Sequence, residues 1–185
     1  MNQLWWYTAR AGGIMAWALM AASVLWGLAL STKVLRGKPR PNWILDLHRF
    51  LGGLALIFTV VHVAAIVLDS YVHFGLVEVL VPFTGSWHPA AVAWGIVGLY
   101  LLAAVEITSL LRSRLSKRVW RATHVLSFPL FIVTTVHALT AGTDRHTLAL
   151  RTLIIGVALG VTVLTWVRVR RMDRGTAPRP VRLAP

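Results

Sequence analysis

Four histidines in two similar apolar runs are the residues of this chain best suited to chemistry. His48 and His62 bound the run HRFLGGLALIFTVVH, and His124 and His137 lie in THVLSFPLFIVTTVH. Ionisable residues inside membrane segments are costly, which favours a functional interpretation. At 1.5 Å per helical residue each pair spans roughly 20 Å. Both segments are predicted to run from inside to outside, so we expect two layers of histidines, His48 with His124 and His62 with His137.

Haem suits these two layers better than an isolated metal ion does. Zinc and copper sites need three or four ligands close together. Each layer offers two histidines, and the sequence places no cysteine or carboxylate at the same depth. Two axial imidazoles match the ligation of a b-type haem. The alternative is that each histidine hydrogen-bonds to a carbonyl or serine of a neighbouring helix.

Small residues separate the two histidines of the first run. His48 and His62 differ by about 40° around an ideal helix. Gly52, Ala55 and Thr59 lie between them on that face, and they are small enough for a flat porphyrin to approach the backbone.

The second run is less regular. His124 and His137 lie about 140° apart around a straight helix, which opposes a shared inner face. Pro129 lies between them, and we expect it to disturb the helix because it lacks a backbone donor and clashes one turn back. A kink there could reduce the mismatch.

The composition predicts an all-α integral membrane protein. The chain has 185 residues, of which 57% are hydrophobic, with mean hydropathy +0.68, whereas soluble domains are about 45–50% apolar. Its zero cysteines exclude disulfides, iron–sulfur clusters, thiolate zinc sites and c-type haem attachment. Five segments are long enough to span a bilayer as helices. They are roughly residues 11–32, 43–68, 89–111, 119–141 and 148–168.

The net charge of +13 is mainly a topology signal. Basic residues concentrate in alternate connections, which predicts an outside N-terminus and a cytoplasmic C-terminus in a plasma membrane, most simply a bacterial inner membrane. The inner set is Lys33, Arg36, Lys38, Arg40, Arg112, Arg114, Lys117, Arg118, Arg121 and the RVRRMDR segment. The opposite side has only Arg10, Arg145 and Arg151, set against Asp69, Glu78 and Asp144. We predict a haem domain over residues 1–170, a disordered basic tail over 171–185, and no nucleic-acid partner.

The loops supply secondary candidates. Tyr71, Phe74, Val77, Val79 and Leu80 predict a short interfacial helix in the longest outside connection. Three outside histidines could bind an acceptor metal or flank the outer haem, although loop histidines are usually only solvated; they are His73, His88 and His146.

Charged residues near the inner layer have two interpretations. Arg49, Arg118 and Arg121 could pair with haem propionates, since arginine suits carboxylates, or they could be ordinary topology charges. Asp46 and Glu106 could pair with those arginines or assist proton movement. Six tryptophans fall mostly near predicted boundaries and are interpreted as interfacial anchors. They are Trp5, Trp6, Trp43, Trp87, Trp120 and Trp166.

The segments LHRFLGGLALIFTVVH and KRVWRATHVLSFPLFIVTTVH resemble the ferric reductase-like transmembrane domain of ferric reductases, NADPH oxidases and the haem subunit of the methionine sulfoxide reductase system. That family has the same unequal spacings of fourteen and thirteen residues. The resemblance implies that His48 and His124 ligate an inner haem and that His62 and His137 ligate an outer one. Many members have six helices, whereas five are predicted here. Oxidase and eukaryotic reductase members also continue into flavin and nicotinamide domains, which this sequence lacks.

The sequence therefore predicts an electron conduit, an oxidoreductase component with two b-type haems. Its donor would be a cytoplasmic flavoprotein, free reduced flavin or a quinol, because the chain has no nucleotide fingerprint. Its acceptor would be a ferric chelate, oxygen, a quinone or an extracytoplasmic redox protein. The alternatives are a haem-binding or anchoring subunit without electron throughput and a quinol-linked cytochrome b.

Overall fold

The computed structural model describes residues 3–32, 42–70, 72, 74–144 and 146–176, and the secondary structure in these ranges is helical. Several predicted features lie outside the described residues: the loop cations Lys33, Arg36, Lys38, Arg40 and Arg145, the loop residues Tyr71 and His73, and residues 177–185 of the predicted tail.

Seven helices follow one another along the described chain. They are α1 (Gln3–Thr32), α2 (Asn42–Leu68), α3 (Leu76–Leu80), α4 (Pro89–Leu110), α5 (Lys117–Val125), α6 (Ser127–Ala141) and α7 (Leu148–Thr176). The last helix continues past the predicted domain boundary at residue 170.

Five candidate membrane spans confirm the predicted number. They are Gln3–Thr32, Trp43–Leu68, Pro89–Leu110, Lys117–Ala141 and Leu148–Arg171. Each is long and apolar enough to cross a bilayer, and a helix satisfies its own backbone there. The first span begins well before the predicted residue 11, because the WWY segment is helical too.

Helix α1 lies at the centre of the bundle. It packs on α2, α6 and α7, while α4 packs mainly on α6. Its side chains Trp17, Met20 and Leu28 are almost fully buried. They form one apolar cluster with Leu102 of α4, Leu130 and Phe131 of α6, and Ile154 and Val161 of α7.

A few polar contacts join the spans. The Trp17 indole donates to the Thr135 hydroxyl at 3.0 Å, linking α1 to α6. The Trp26 indole donates to the Ile44 carbonyl at 3.0 Å, linking α1 to α2. The Arg171 guanidinium donates to the Thr32 carbonyl at the last residue of α1. Such contacts between membrane helices contribute roughly 0.6–2 kcal/mol each, and they set the rotation of α1 against its neighbours.

The fourth span is broken at Leu126, which confirms that Pro129 disturbs it. Helix α5 ends at Val125 and α6 begins at Ser127. A proline cannot donate to the carbonyl four residues earlier, here that of Val125, and its ring clashes with that carbonyl. The break places Pro129 in the first turn of α6, where a missing N–H costs little. His124 and His137 thus belong to different helices.

A short helix is present where one was predicted, as α3, although it begins after Phe74. Leu76, Val77 and Leu80 expose 68%, 58% and 43% of their surface, while Val79 is buried. The Tyr100 hydroxyl of α4 donates to the Leu80 carbonyl at 2.7 Å. An apolar face this exposed suits the boundary between lipid and water.

Candidate functional site

The four histidines meet as the two predicted pairs. The ring centres of His48 and His124 are 6.0 Å apart, with planes at 79°. Those of His62 and His137 are 6.4 Å apart, with planes at 74°. We name these the inner pair and the outer pair, after the predicted topology. Each pair joins α2 to one half of the broken span, and all four rings are partly buried.

The separation within each pair has room for one metal ion. A metal–imidazole bond is about 2 Å long, so two imidazoles on opposite sides of one ion have ring centres roughly 6 Å apart. Both observed separations are close to that value. Among the described residues, no group of three or more His, Cys, Asp or Glu side chains is suited to hold a metal ion.

Three of the rings are oriented by backbone carbonyls of neighbouring helices. His48 Nδ1 lies 3.0 Å from the Ser23 carbonyl, His62 Nδ1 lies 2.6 Å from the Ala9 carbonyl, and His137 Nδ1 lies 2.8 Å from the Ala91 carbonyl. A carbonyl only accepts hydrogen bonds, so Nδ1 carries the proton in each ring. The other ring nitrogen, Nε2, is then the one free to bind a metal.

A glycine follows each of these acceptors by four residues. The acceptors Ser23, Ala9 and Ala91 precede Gly27, Gly13 and Gly95 respectively. A Cβ on Gly95 would lie 2.7 Å from His137 Cε1, and one on Gly13 would lie 2.9 Å from His62 Nδ1. One on Gly27 would lie 3.1 Å from His48 Cε1. The missing side chain lets the imidazole reach the carbonyl one turn earlier, an arrangement we call the glycine cradle.

His124 has no glycine cradle. Its Nδ1 is buried and has no hydrogen-bond partner among the described residues. Its ring stacks instead on the Trp120 indole, with ring centres 5.0 Å apart and planes at 22°. Residues four apart on a helix share a face, so α5 itself supplies this contact.

A cavity of about 380 Å³ lies at the outer pair. Both His62 and His137 line it, as do Thr59 of the predicted porphyrin face and the cradle glycines Gly13 and Gly95. Its wall is mostly apolar and is built from several spans. A cavity of this size and character is typical of a small-molecule or cofactor site.

Three charged residues line the same cavity, Arg10, Asp69 and Asp144. Arg10 and Asp144 form an ion pair that joins α1 to the turn after α6, and the Arg10 guanidinium also lies 5.1 Å from the centre of the Trp6 ring. All three charges were predicted only as topology signals.

The other predicted site residues lie close in sequence to the inner pair, and each has a different setting in the structure. Arg49 pairs with Asp46 at 3.3 Å, which is the predicted structural pairing, and both are exposed. Arg121 is exposed on α5. Gly52 faces α4, where a Cβ would lie 2.7 Å from a carboxylate oxygen of Glu106.

The described loop histidines, His88 and His146, lie outside the two pairs. His88 precedes α4 in a left-handed conformation with φ 42°, and its ring contacts Trp87 edge-on at 4.7 Å. His146 is exposed in the turn before α7.

The chain belongs to the family described as ferric reductase like transmembrane component, whose model matches residues 12–135. This range includes α2 and α5, and with them His48, His62 and His124. The family assignment made from the histidine segments is therefore confirmed.

One relative is an uncharacterized protein of Archaeoglobus fulgidus, 31% identical over 122 residues. The match covers 62% of this chain and 63% of the relative, so this chain spans less than two thirds of that protein. No solved structure matches the chain.

Proposed function

We propose that the protein carries electrons across a membrane through two bis-histidine b-type haems. Membership of a ferric reductase-like family supports transmembrane redox chemistry. The observation that carries the proposal is the pairing of four histidines at two levels, with ring centres 6.0 and 6.4 Å apart.

The residues fit this cofactor in three respects. The ring separations match two imidazoles sharing one metal ion. The glycine cradles set the tautomer of His48, His62 and His137, and such contacts also raise ligand basicity. The cavity at the outer pair supplies a mostly apolar wall of cofactor size.

Each haem would supply a one-electron iron couple whose potential depends on its axial ligands and surroundings. The chain itself holds the rings, orients them and excludes water. His48 and His124 would hold the inner group, and His62 and His137 the outer one. Arg10 lines the outer cavity, where it is paired with Asp144, while Arg49 and Arg121 remain proposed for the inner group.

We propose a cytoplasmic donor and an outside acceptor. The donor would be a flavoprotein, free reduced flavin or a quinol, and the acceptor a ferric chelate, oxygen, a quinone or a redox protein. The orientation follows from the charge asymmetry of the loops. A bacterial inner membrane is the proposed location.

The first test is the reduced-minus-oxidised absorption spectrum of the purified protein, with haem quantified per chain. We expect two b-type haems per polypeptide. The absence of haem from protein produced in a host supplied with it would overturn the proposal and favour an anchoring role.

Four single variants test the ligand assignment. H62A or H137A should remove the outer haem and retain the inner, whereas H48A or H124A should do the reverse. Haem content and difference spectra would measure this. Two haems per chain in all four variants would show that the assignment is wrong.

Electron throughput needs a separate measurement. Liposomes containing the protein and enclosing ferricyanide would receive reduced flavin outside. Ferricyanide loss that depends on the protein supports a conduit, and full haem loading without such loss supports the anchoring alternative. Inhibition of quinol-driven reduction by quinone-site inhibitors would instead support a quinol-linked cytochrome b.

A further inference from the structure

His124 is the exception among the four candidate ligands. The other three rings have a backbone acceptor within 3.0 Å and a cradle glycine. His124 Nδ1 is buried with no partner among the described residues. Something other than a hydrogen bond must therefore hold the plane of this ring.

Trp120 supplies the contact. Its indole is nearly parallel to the His124 ring, at 22° and 5.0 Å between centres. Its own Nε1 is buried and unpartnered among the described residues, so no hydrogen bond there sets the position of the indole. The Arg112 guanidinium lies over the same indole, 4.5 Å from its centre. Arg112 thus holds the Trp120 indole by a cation–π contact. The indole in turn holds the His124 ring by an aromatic contact.

We propose that Trp120 is the positioning residue of His124, performing by ring stacking the task that a glycine cradle performs for the other three histidines. The proposal rests on the proposed function, in which His124 would help to hold the inner haem. Without an acceptor at Nδ1, no hydrogen bond there fixes the plane of the His124 ring. The orientation of this ring therefore depends on its stacking against Trp120.

This dependence on stacking has a measurable consequence. A ferrous haem with two firmly held imidazoles does not take up carbon monoxide, whereas loss of one imidazole opens a coordination position. Removing the indole should open the inner haem while leaving the outer haem closed. Aromatic contacts of this kind correspond to roughly a tenfold change in an equilibrium.

The experiment compares purified W120A and W120F with wild type, all loaded with haem. The readouts are haem per chain and the carbon monoxide difference spectrum of the dithionite-reduced protein. The matched control is W166A, because the Trp166 indole also lies beneath an arginine, with Arg170 4.9 Å from its centre, but contacts no candidate ligand.

For W120A we expect about a tenfold larger carbon monoxide-reactive fraction, limited to one haem per chain, or loss of that haem alone. W120F should resemble wild type, because a phenyl ring can still stack. Retention of the outer haem would show that W120A is folded. In the double variant W120A/H62A the outer haem should be absent, so any remaining signal comes from the inner haem.

Three results would overturn the proposal: W120A behaving as W166A does, an effect on the outer haem, or equal loss of both haems. An absence of haem from the wild-type protein would instead overturn the proposed function, so the two failures are distinguishable.

Discussion

At the scale of single residues, the distinctive feature is the glycine cradle. In all three cases a small residue offers its carbonyl, and the glycine four residues later leaves that carbonyl accessible to an imidazole. The pairs are Ala9 and Gly13, Ser23 and Gly27, and Ala91 and Gly95. The same pattern of small residues four apart lets membrane helices approach closely, and here it also orients rings.

Gly95→Ala tests the cradle. The new Cβ would lie 2.7 Å from His137 Cε1, closer than packing allows, so the ring must move away from the Ala91 carbonyl. We expect loss of the outer haem or carbon monoxide binding by it. The control is Gly53→Ala on α2, where the added Cβ would have no atom within 4 Å among the described residues beyond its own stretch of helix. Gly53→Ala should retain two haems, with helix stability raised by up to about 1 kcal/mol. Equal haem content and reactivity in both variants would contradict the cradle.

Sequence reasoning found the ligand candidates but not their supports. The spacing of the four histidines could be recognised in the sequence because each pair lies within one apolar segment, His48 with His62 and His124 with His137. The carbonyls of Ala9 and Ala91 lie on other helices, and spacing within one helix says nothing about a neighbour's rotation. These helices are apolar on most faces, so periodicity did not reveal which side of α1 meets α2. The small-xxx-Gly pattern was the available signal.

At the scale of elements, the break in the fourth span lies between His124 and His137. A straight helix would place these two histidines about 140° apart around its axis. Helices α5 and α6 meet at Leu126, so the ideal rotation of one straight helix no longer relates His124 to His137. The sequence predicted a disturbance from Pro129. Its position, three residues before the proline, follows from the carbonyl that the proline cannot satisfy.

Pro129→Ala tests this geometry. The alanine restores a donor for the Val125 carbonyl and favours one continuous helix, in which the two histidines diverge. We expect haem content to fall from two per chain toward one, even though removing the proline favours the continuous helix itself. Pro89→Ala is the control, because Pro89 occupies the first position of α4, where proline is tolerated. An unchanged haem content in Pro129→Ala would show that the break is not needed.

The short helix α3 and the five spans were also predictable, because both depend on apolar runs within a single segment. The neighbour that Gly52 meets could not be predicted from the sequence. Gly52 lies on the predicted face of α2 but contacts Glu106 of α4, since helix packing rather than spacing decides which neighbour a small residue meets.

At the scale of the whole molecule, an ion pair links two segments that are far apart in the sequence. Arg10 in α1 and Asp144 after α6 are 134 residues apart in sequence. The Asp144 side chain is only 13% exposed, so its partner matters more than that of a fully solvated carboxylate.

Arg10→Gln should lower the thermal unfolding temperature of the purified protein, because it leaves Asp144 unpaired at the cavity wall. Asp46→Asn is the control. Its partner Arg49 is three residues away on the same helix, both side chains are exposed, and removing such a pair changes stability little. Equal unfolding temperatures for the two variants would argue against a structural role for the Arg10 pair.

The predicted topology can be tested in intact cells, since the chain has no cysteine to give background labelling. Ser86→Cys lies in the connection before α4 and Ser113→Cys in the connection after it, and both serines are exposed. A membrane-impermeant maleimide should label Ser86→Cys directly and Ser113→Cys only after permeabilisation. The reverse labelling pattern would show that the proposed orientation, and with it the proposed direction of electron flow, is wrong.

The extensive packing of α1 on α2 has a consequence for biogenesis. The cradles for His48 and His62 both lie on α1, so the backbone contacts that orient these two rings are made within the α1–α2 hairpin. During translation the inserted α1–α2 hairpin would already present one prepared imidazole at each level, while the second imidazoles were still to be made. Under the proposed function, haem capture by this nascent hairpin can precede, and guide, the docking of α5 and α6.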